Sequence, residues 1–100
     1  MKQFHSIIKD ILYFESDNRK INIYTTKGQI SFYGILSEVL EELDEFDFLF
    51  IHQSYIVNYN HIISFEYNQV TMSNDTILPI SQSRRKIIRE QQLNLARKGI

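Results

Sequence analysis

The sequence contains no cysteine, a single proline (Pro79) and only three glycines (Gly28, Gly34 and Gly99) in 100 residues. Without thiols, disulfides, thiolate zinc sites and cysteine nucleophiles are excluded, and only imidazole and oxygen ligands remain. A reducing cytosol, and therefore a cytoplasmic location, fits this composition. The scattered glycines cannot build a Gly-x-x-x-x-Gly-Lys phosphate loop. Neither a Gly-x-Ser-x-Gly nucleophile turn nor a His-Glu-x-x-His zinc motif occurs, and His5, His52 and His61 lack diagnostic metal-ligand spacing. The expectation is a non-enzyme without cofactor or metal. The longest apolar runs, Ile11 to Phe14 and Phe48 to Ile51, are four residues each, against the roughly 20 needed to cross a bilayer. Met1 to Ser6 lacks the apolar segment and cleavage site of a secretion signal, so a soluble chain without membrane or export function is expected.

What is present suits one folded module. A chain of 12.0 kDa with 43% hydrophobic residues has the length of one domain, residues 1–100, and apolar content well above that of disordered chains. The net charge of −1 hides a segregation. Six acids (Glu38, Glu41, Glu42, Asp44, Glu45, Asp47) stand between Glu38 and Asp47 with no base, whereas Arg84 to Lys98 carries six bases (Arg84, Arg85, Lys86, Arg89, Arg97, Lys98) against Glu90. Either run can be a solvated helix face; the basic one points to a polyanion only if other donors converge on it.

The pattern is mainly β with two helices. Ile11 to Ser16 reads as a strand, followed by the turn residues Asp17-Asn18. From Lys20 to Thr26, Ile21, Ile23 and Thr25 alternate with polar neighbours, as on a strand with one buried face. Lys27-Gly28 signals a hairpin returning along Gln29 to Tyr33. After Gly34 the period changes to helical: Ile35, Leu36, Val39, Leu40 and Leu43 form a stripe, with a predicted helix running to Asp44. Phe48 to Gln53 is apolar on both faces until His52 and Gln53, which predicts a central strand. His61 to Tyr67, Val70 to Ser73 and Thr76 to Ile80 read as a meander, with Pro79 placing the last strand at an edge. Ser81 or Ser83 can cap a final helix whose weak stripe is Ile87, Ile88 and Leu95, with Gly99 at its carboxyl end.

The most specific segment is Phe50-Ile-His-Gln-Ser-Tyr-Ile-Val-Asn58. It places His52, Gln53, Ser54 and Asn58 around the anchors Tyr55, Ile56 and Val57, as in a presented loop on a packed base. Gln53 carries the donor and acceptor pair that reads adenine N6 and N7. The stretch resembles the core signature of LytTR-type DNA-binding domains, His-x-Ser-Tyr/Phe-x-Val-Asn, matched by His52, Ser54, Tyr55, Val57 and Asn58. The order around it is similar as well: Ile11-Leu-Tyr-Phe-Glu-Ser16, Phe32-Tyr-Gly-Ile-Leu36, Phe48-Leu-Phe50 and Leu78-Pro-Ile-Ser81. The likeness covers about residues 7–90.

The resemblance implies an elongated, multi-sheet β fold that binds double-stranded promoter DNA through loops, as the output domain of LytR/AlgR-type response regulators in bacterial two-component systems. It implies no enzymatic activity. No receiver domain or phosphoacceptor aspartate belongs to these residues, so an excised output domain and a stand-alone regulator both remain open. By position, the resemblance carries three DNA-contacting regions onto this chain: Arg19 and Lys20 in the turn after the first strand; Gln53, with Ser54 beside it; and Gln82, Ser83, Arg84 and Arg85 after Ser81, with Arg84 the first choice. Many relatives carry a basic or amide residue at the position of Gln53, and the departure from arginine leaves the base it reads open. His52, Tyr55 and Asn58 are expected to organise the motif rather than touch bases. Pairing of two copies on repeated sites is a further expectation. The alternative from a different class is a protein-interaction module that docks a partner through the acidic helix or the hairpins and binds no DNA.

Overall fold

The computed structural model describes residues 4–43 and 46–98. Asp44, Glu45 and Gly99, assigned above to helix ends and to the acidic run, lie outside the described residues. After a 3₁₀ turn, His5–Asp10, the chain forms β1 (Ile11–Asp17), β2 (Lys20–Thr25) and β3 (Gly28–Tyr33), then α1 (Leu36–Glu42). A second hairpin, β4 (Phe48–His52) and β5 (Tyr55–Asn58), leads through a 3₁₀ turn into β6 (Ile62–Phe65), β7 (Gln69–Met72) and β8 (Ile77–Pro79). A last 3₁₀ turn, Gln82–Arg84, runs into α2 (Arg85–Lys98). The mainly β architecture with two helices follows the alternation of apolar residues, and the meander β6-β7-β8 ends on an edge strand that carries Pro79.

The turns explain the pairing. Asn18 (φ 57°) and Arg19 (φ 68°) both adopt left-handed backbone, the type I′ geometry whose twist suits a two-residue hairpin, and Asp17 pairs with Lys20 across it. Gly28 has φ 137°, a conformation closed to residues with a Cβ, although a Cβ there would meet nothing within 4 Å. Backbone conformation, not crowding, requires the glycine.

Five strands form one sheet in the order β3-β2-β1-β5-β4, and three form a second, β6-β7-β8. The first sheet is covered on both faces. On one, Ile11, Phe14, Ile21, Ile23 and Ile56 pack with Leu36 and Val39 of α1 and with Leu43 and Phe4. On the other, Tyr13, Leu49, Ile51 and Val57 meet Val70, Met72 and Leu78 of the small sheet and Ile88 of α2. A register shift between Ile11 and Tyr13 lets the consecutive residues Leu12 and Tyr13 both join this second cluster. Each fully buried aliphatic or aromatic side chain contributes about 1.5–3 kcal/mol.

Three expectations change. β4 is an edge strand, not a central one. Its faces are both apolar because α1 and α2 lie on opposite sides, and its free edge is covered by the chain after β8: Ser81 N–H donates to Ile51 O at 2.9 Å. Of the predicted α1 stripe, Ile35 stands outside: it is the extended residue before the helix, makes no side-chain cap bond and is half exposed. The extents, 31 × 28 × 25 Å, are more even than the elongated outline expected, because the small sheet and α2 fold back onto β4 and β5.

Candidate nucleic-acid interface

Strand register decides which turns lie together. β1 runs antiparallel to β5, with Glu15 opposite Tyr55 and Ser16 N–H donating to Ser54 O at 2.9 Å. The β1–β2 turn (Asn18, Arg19) and the β4–β5 turn (Gln53, Ser54) therefore share one end of the five-stranded sheet, the tip end. Ser81 binds beside Ile51 on β4, which brings Gln82, Ser83, Arg84 and Arg85 to the same end. The three regions carried over by resemblance, up to about 65 residues apart in sequence, form one row. From β2 to β4 is three strand spacings, about 14 Å, comparable with a major groove roughly 12 Å wide.

The side chains in the row differ in what they already bind. Arg19, Lys20, Gln53, Gln82 and Ser83 are exposed and make no side-chain hydrogen bond or ion pair among the described residues. Ser54 is half-buried, and its backbone N–H donates to His52 Nδ1 at 3.0 Å across the two-residue turn. Since Nδ1 accepts, the neutral His52 ring carries its proton on Nε2. The His52 ring lies 5.5 Å from that of Tyr55, which in turn meets Tyr13 edge-on at 6.3 Å. At the other end of β5, buried Asn58 donates to Ile11 O at 2.8 Å and accepts from Asn60 N–H at 3.0 Å. The motif expected as a presented loop is thus a strand with a two-residue tip: Gln53 and Ser54 project, and Tyr55 to Asn58 anchor.

Arg84 and Arg85 are not free cations. Arg84 is half-buried, donates from Nε to Phe50 O and lays its guanidinium 4.7 Å over the Phe50 ring. Arg85 donates from Nε to Ile80 O at 3.2 Å. Ser81, considered as a helix cap, makes no side-chain cap bond. Nor does the basic run form one patch. α2 runs along β4 from the tip end to the opposite, base end, where Lys98 Nζ pairs with Asp47 at 3.9 Å. Only Arg84, Arg85, Lys86 and Arg89 lie toward the tips, and the acidic α1 covers the opposite face of the sheet.

Behind the tips a polar network ties three strands together. Glu15 accepts from Asn22 Nδ2 at 3.0 Å and from the Tyr24 hydroxyl at 2.9 Å, and Asn22 Oδ1 accepts from the Ser31 hydroxyl at 2.7 Å. Burial, together with the Glu15 carboxylate, pushes Tyr24 up to about 12. Burial also raises Tyr13.

Two exposed aromatics belong to this surface without having been singled out from the sequence. Tyr33, 87% exposed, pairs with Lys20 at the end of β3; strand alternation opposite the core residue Phe32 was the available signal. Tyr67 lies beside α2, with Arg89 5.8 Å over its ring, a contact no local pattern announces. Among the described residues no cluster of His, Asp or Glu could hold a metal, and His52 and His61 sit at opposite ends of the sheet. Among the described residues no helix is long and apolar enough to cross a membrane.

Comparison with known proteins bears on the family and the fold. The LytTr DNA-binding domain family model matches residues 2–92. The transcriptional regulatory protein NatR of Bacillus subtilis (strain 168) is 33% identical over 86 residues, which are 86% of this chain but only 36% of NatR. A solved Bacillus cereus structure, described as the LytTr DNA-binding domain of a methyl-accepting/DNA response regulator, matches with a TM-score of 0.75 at 25% identity, covering 84% of this chain and 82% of that one. The resemblance carried by His52, Ser54, Tyr55, Val57 and Asn58 and the folded architecture lead to the same family: the chain belongs to the LytTR DNA-binding domains.

Proposed function

We propose that this domain binds double-stranded DNA in a sequence-specific manner and regulates transcription, as the output domain of a two-component response regulator. The observation that carries this reading is the row of exposed, internally unbonded polar side chains at one end of the sheet: Arg19 and Lys20, Gln53, then Gln82 and Ser83. Gln53 reads a base edge, with its short stem held forward by the two-residue turn. Arg19 and Lys20 neutralise phosphates on one side, and Gln82, Ser83 and the remaining Arg84 and Arg85 N–H groups meet the duplex on the other. His52 and Tyr55 hold the tip in place, and Asn58 anchors the far end of the same strand. Membership in the family and the likeness to NatR, a transcriptional regulatory protein, support the same reading.

A pair of copies on repeated promoter sites is compatible with these dimensions. Sites one helical turn apart are separated by roughly 34–36 Å, more than the largest extent of the domain, 31 Å, so neighbours fit side by side.

Selection from random duplex DNA at two salt concentrations, repeated with Gln53→Ala, tests the proposal. Wild type should enrich a defined site, with a log–log salt slope of about −0.9 per neutralised phosphate. Gln53→Ala should lose about 1–3 kcal/mol of preference at one base pair while its folding stability stays within about 0.5 kcal/mol. Absence of any enriched site, or equal loss on selected and random DNA, would refute the base-reading role.

A further inference from the structure

Beside the row of tips lies a cleft that shares only Arg85 with the three contact regions. Ile80 N–H donates to Asn68 O at 2.9 Å, and the next residue, Ser81, donates to Ile51 O; the β6–β7 turn is therefore held just outside the Gln82–Ser83 segment. Between this turn and the first turns of α2 opens a space of about 180 Å³, lined by Glu66, Tyr67, Arg85, Arg89 and Gln92 among others. Arg85 and Arg89 are one helical turn apart and both face it. The Nε bond to Ile80 O fixes the Arg85 guanidinium plane, and the half-exposed Tyr67 ring backs Arg89. Neither arginine has a carboxylate within ion-pair distance among the described residues. Glu66 is the opposing charge of the cleft; its Oε2 accepts from Gln69 Nε2 at 3.4 Å.

We propose that this cleft clamps one backbone phosphate of the bound duplex between Arg85 and Arg89, with Tyr67 holding the Arg89 guanidinium; the proposal rests on the DNA-binding reading above. Two guanidinium forks converging on one opening match the tetrahedral oxygens of a phosphate. The start of α2, at the tip end, adds the positive end of its dipole. Because the cleft continues the row of tips, a duplex lying across Gln53 and Ser83 brings its flanking backbone over it. The contact is blind to sequence and lies outside the bases that are read.

Titration of fluorescent duplexes with wild type, Arg89→Ala and Glu66→Gln at several salt concentrations tests the clamp, with thermal unfolding to verify the fold. Arg89→Ala should bind selected and random duplexes several-fold more weakly by the same factor, and its salt slope should be shallower by about 0.9. Glu66→Gln should bind both more tightly, a gain that mere structural disturbance would not produce. As the duplex is shortened from the flank facing α2, wild type should fall to the level of Arg89→Ala. Wild-type DNA binding with unchanged affinity and slope in Arg89→Ala, or with no gain in Glu66→Gln, overturns the clamp and leaves the DNA-binding reading intact. A wild type that binds no duplex at any salt overturns both.

Discussion

Asn58 and Gln53 carry the same amide group at opposite ends of the β4–β5 hairpin. At the base end, Asn58 bridges the Ile11 carbonyl and the Asn60 N–H. Nearby, His61 Nε2 meets Lys9 O at 2.7 Å and its Nδ1 meets Ser73 Oγ at 3.3 Å, while Lys27 pairs with Asp10 and Lys98 with Asp47. At the tip end, the side chains of Gln53, Arg19, Lys20, Gln82 and Ser83 make no hydrogen bond or ion pair among the described residues. One end therefore closes its polar groups into the fold, and the other leaves its side chains exposed and unbonded. Polar residue type does not distinguish structural from binding side chains; the availability of backbone groups to satisfy does.

The largest test of the contrast is Asn58→Ala. It strands the buried Ile11 carbonyl and removes the partner of Asn60 N–H, so stability should fall by about 1–3 kcal/mol. Urea unfolding measures the loss. Base preference, corrected for the folded fraction, should not change, the reverse of the outcome expected for Gln53→Ala. A stable Asn58→Ala protein with altered preference would erase the distinction between the ends.

A smaller effect sharpens the comparison between the two turns that flank β2. The base-end turn uses Gly28 for its left-handed backbone, whereas the tip-end turn places Asn18 and Arg19 there. Holding a non-glycine residue at positive φ costs about 1–2 kcal/mol, and the extra entropy of an unfolded glycine offsets about 0.4–1 kcal/mol of the relief. Arg19→Gly should thus stabilise the domain by roughly 0.5–1 kcal/mol while weakening DNA binding and flattening the salt slope by about 0.9. A gain of stability with loss of binding would identify strain kept for function at this turn. If the variant is destabilised, Arg19 contributes to the fold in a way the turn geometry does not account for.

The legible and illegible parts of this molecule divide along the same physical line. Alternation in Lys20 to Thr26 and the helical spacing from Ile35 to Leu43 are local, and a strand (Lys20–Thr25) and a helix (Leu36–Glu42) form within those spans. The signature from His52 to Asn58 located the central tip. What local pattern could not convey was tertiary cover. Phe48 to Ile51 is apolar on both faces, which suits a central strand, yet the neighbour on one side is the segment around Ser81, thirty residues away. The same long-range contact takes Arg84 from a free cation to a tether on Phe50. Likewise, the charge of Arg84 to Lys98 is continuous in sequence, but the length of α2 carries Lys98 to the base end and onto Asp47. Asn22 sits at a position read as the polar side of its strand and is nevertheless buried, because Glu15 and Ser31 on the adjacent strands satisfy it.

That network gives the last effect, a pH dependence confined to alkaline conditions. Glu15 accepts a hydrogen bond from the Tyr24 hydroxyl, and burial together with this carboxylate pushes the tyrosine up to about 12 from its ordinary value of 10.0. The folded state therefore holds the proton more tightly than the unfolded state. Its contribution is complete below pH 10 and declines as pH rises toward 12, where the folded-state hydroxyl ionises against Glu15. Unfolding measured between pH 9 and 12 should show stability falling across that window, and Tyr24→Phe, which has no proton to lose, should show a shallower decline. Because Glu15 lies opposite Tyr55 and just behind the tips, the comparison between ends predicts that Tyr24→Phe leaves base preference at neutral pH unchanged. A change there would mean that the network sets the position of Gln53, and the boundary between supporting and reading residues would move one layer toward the sheet.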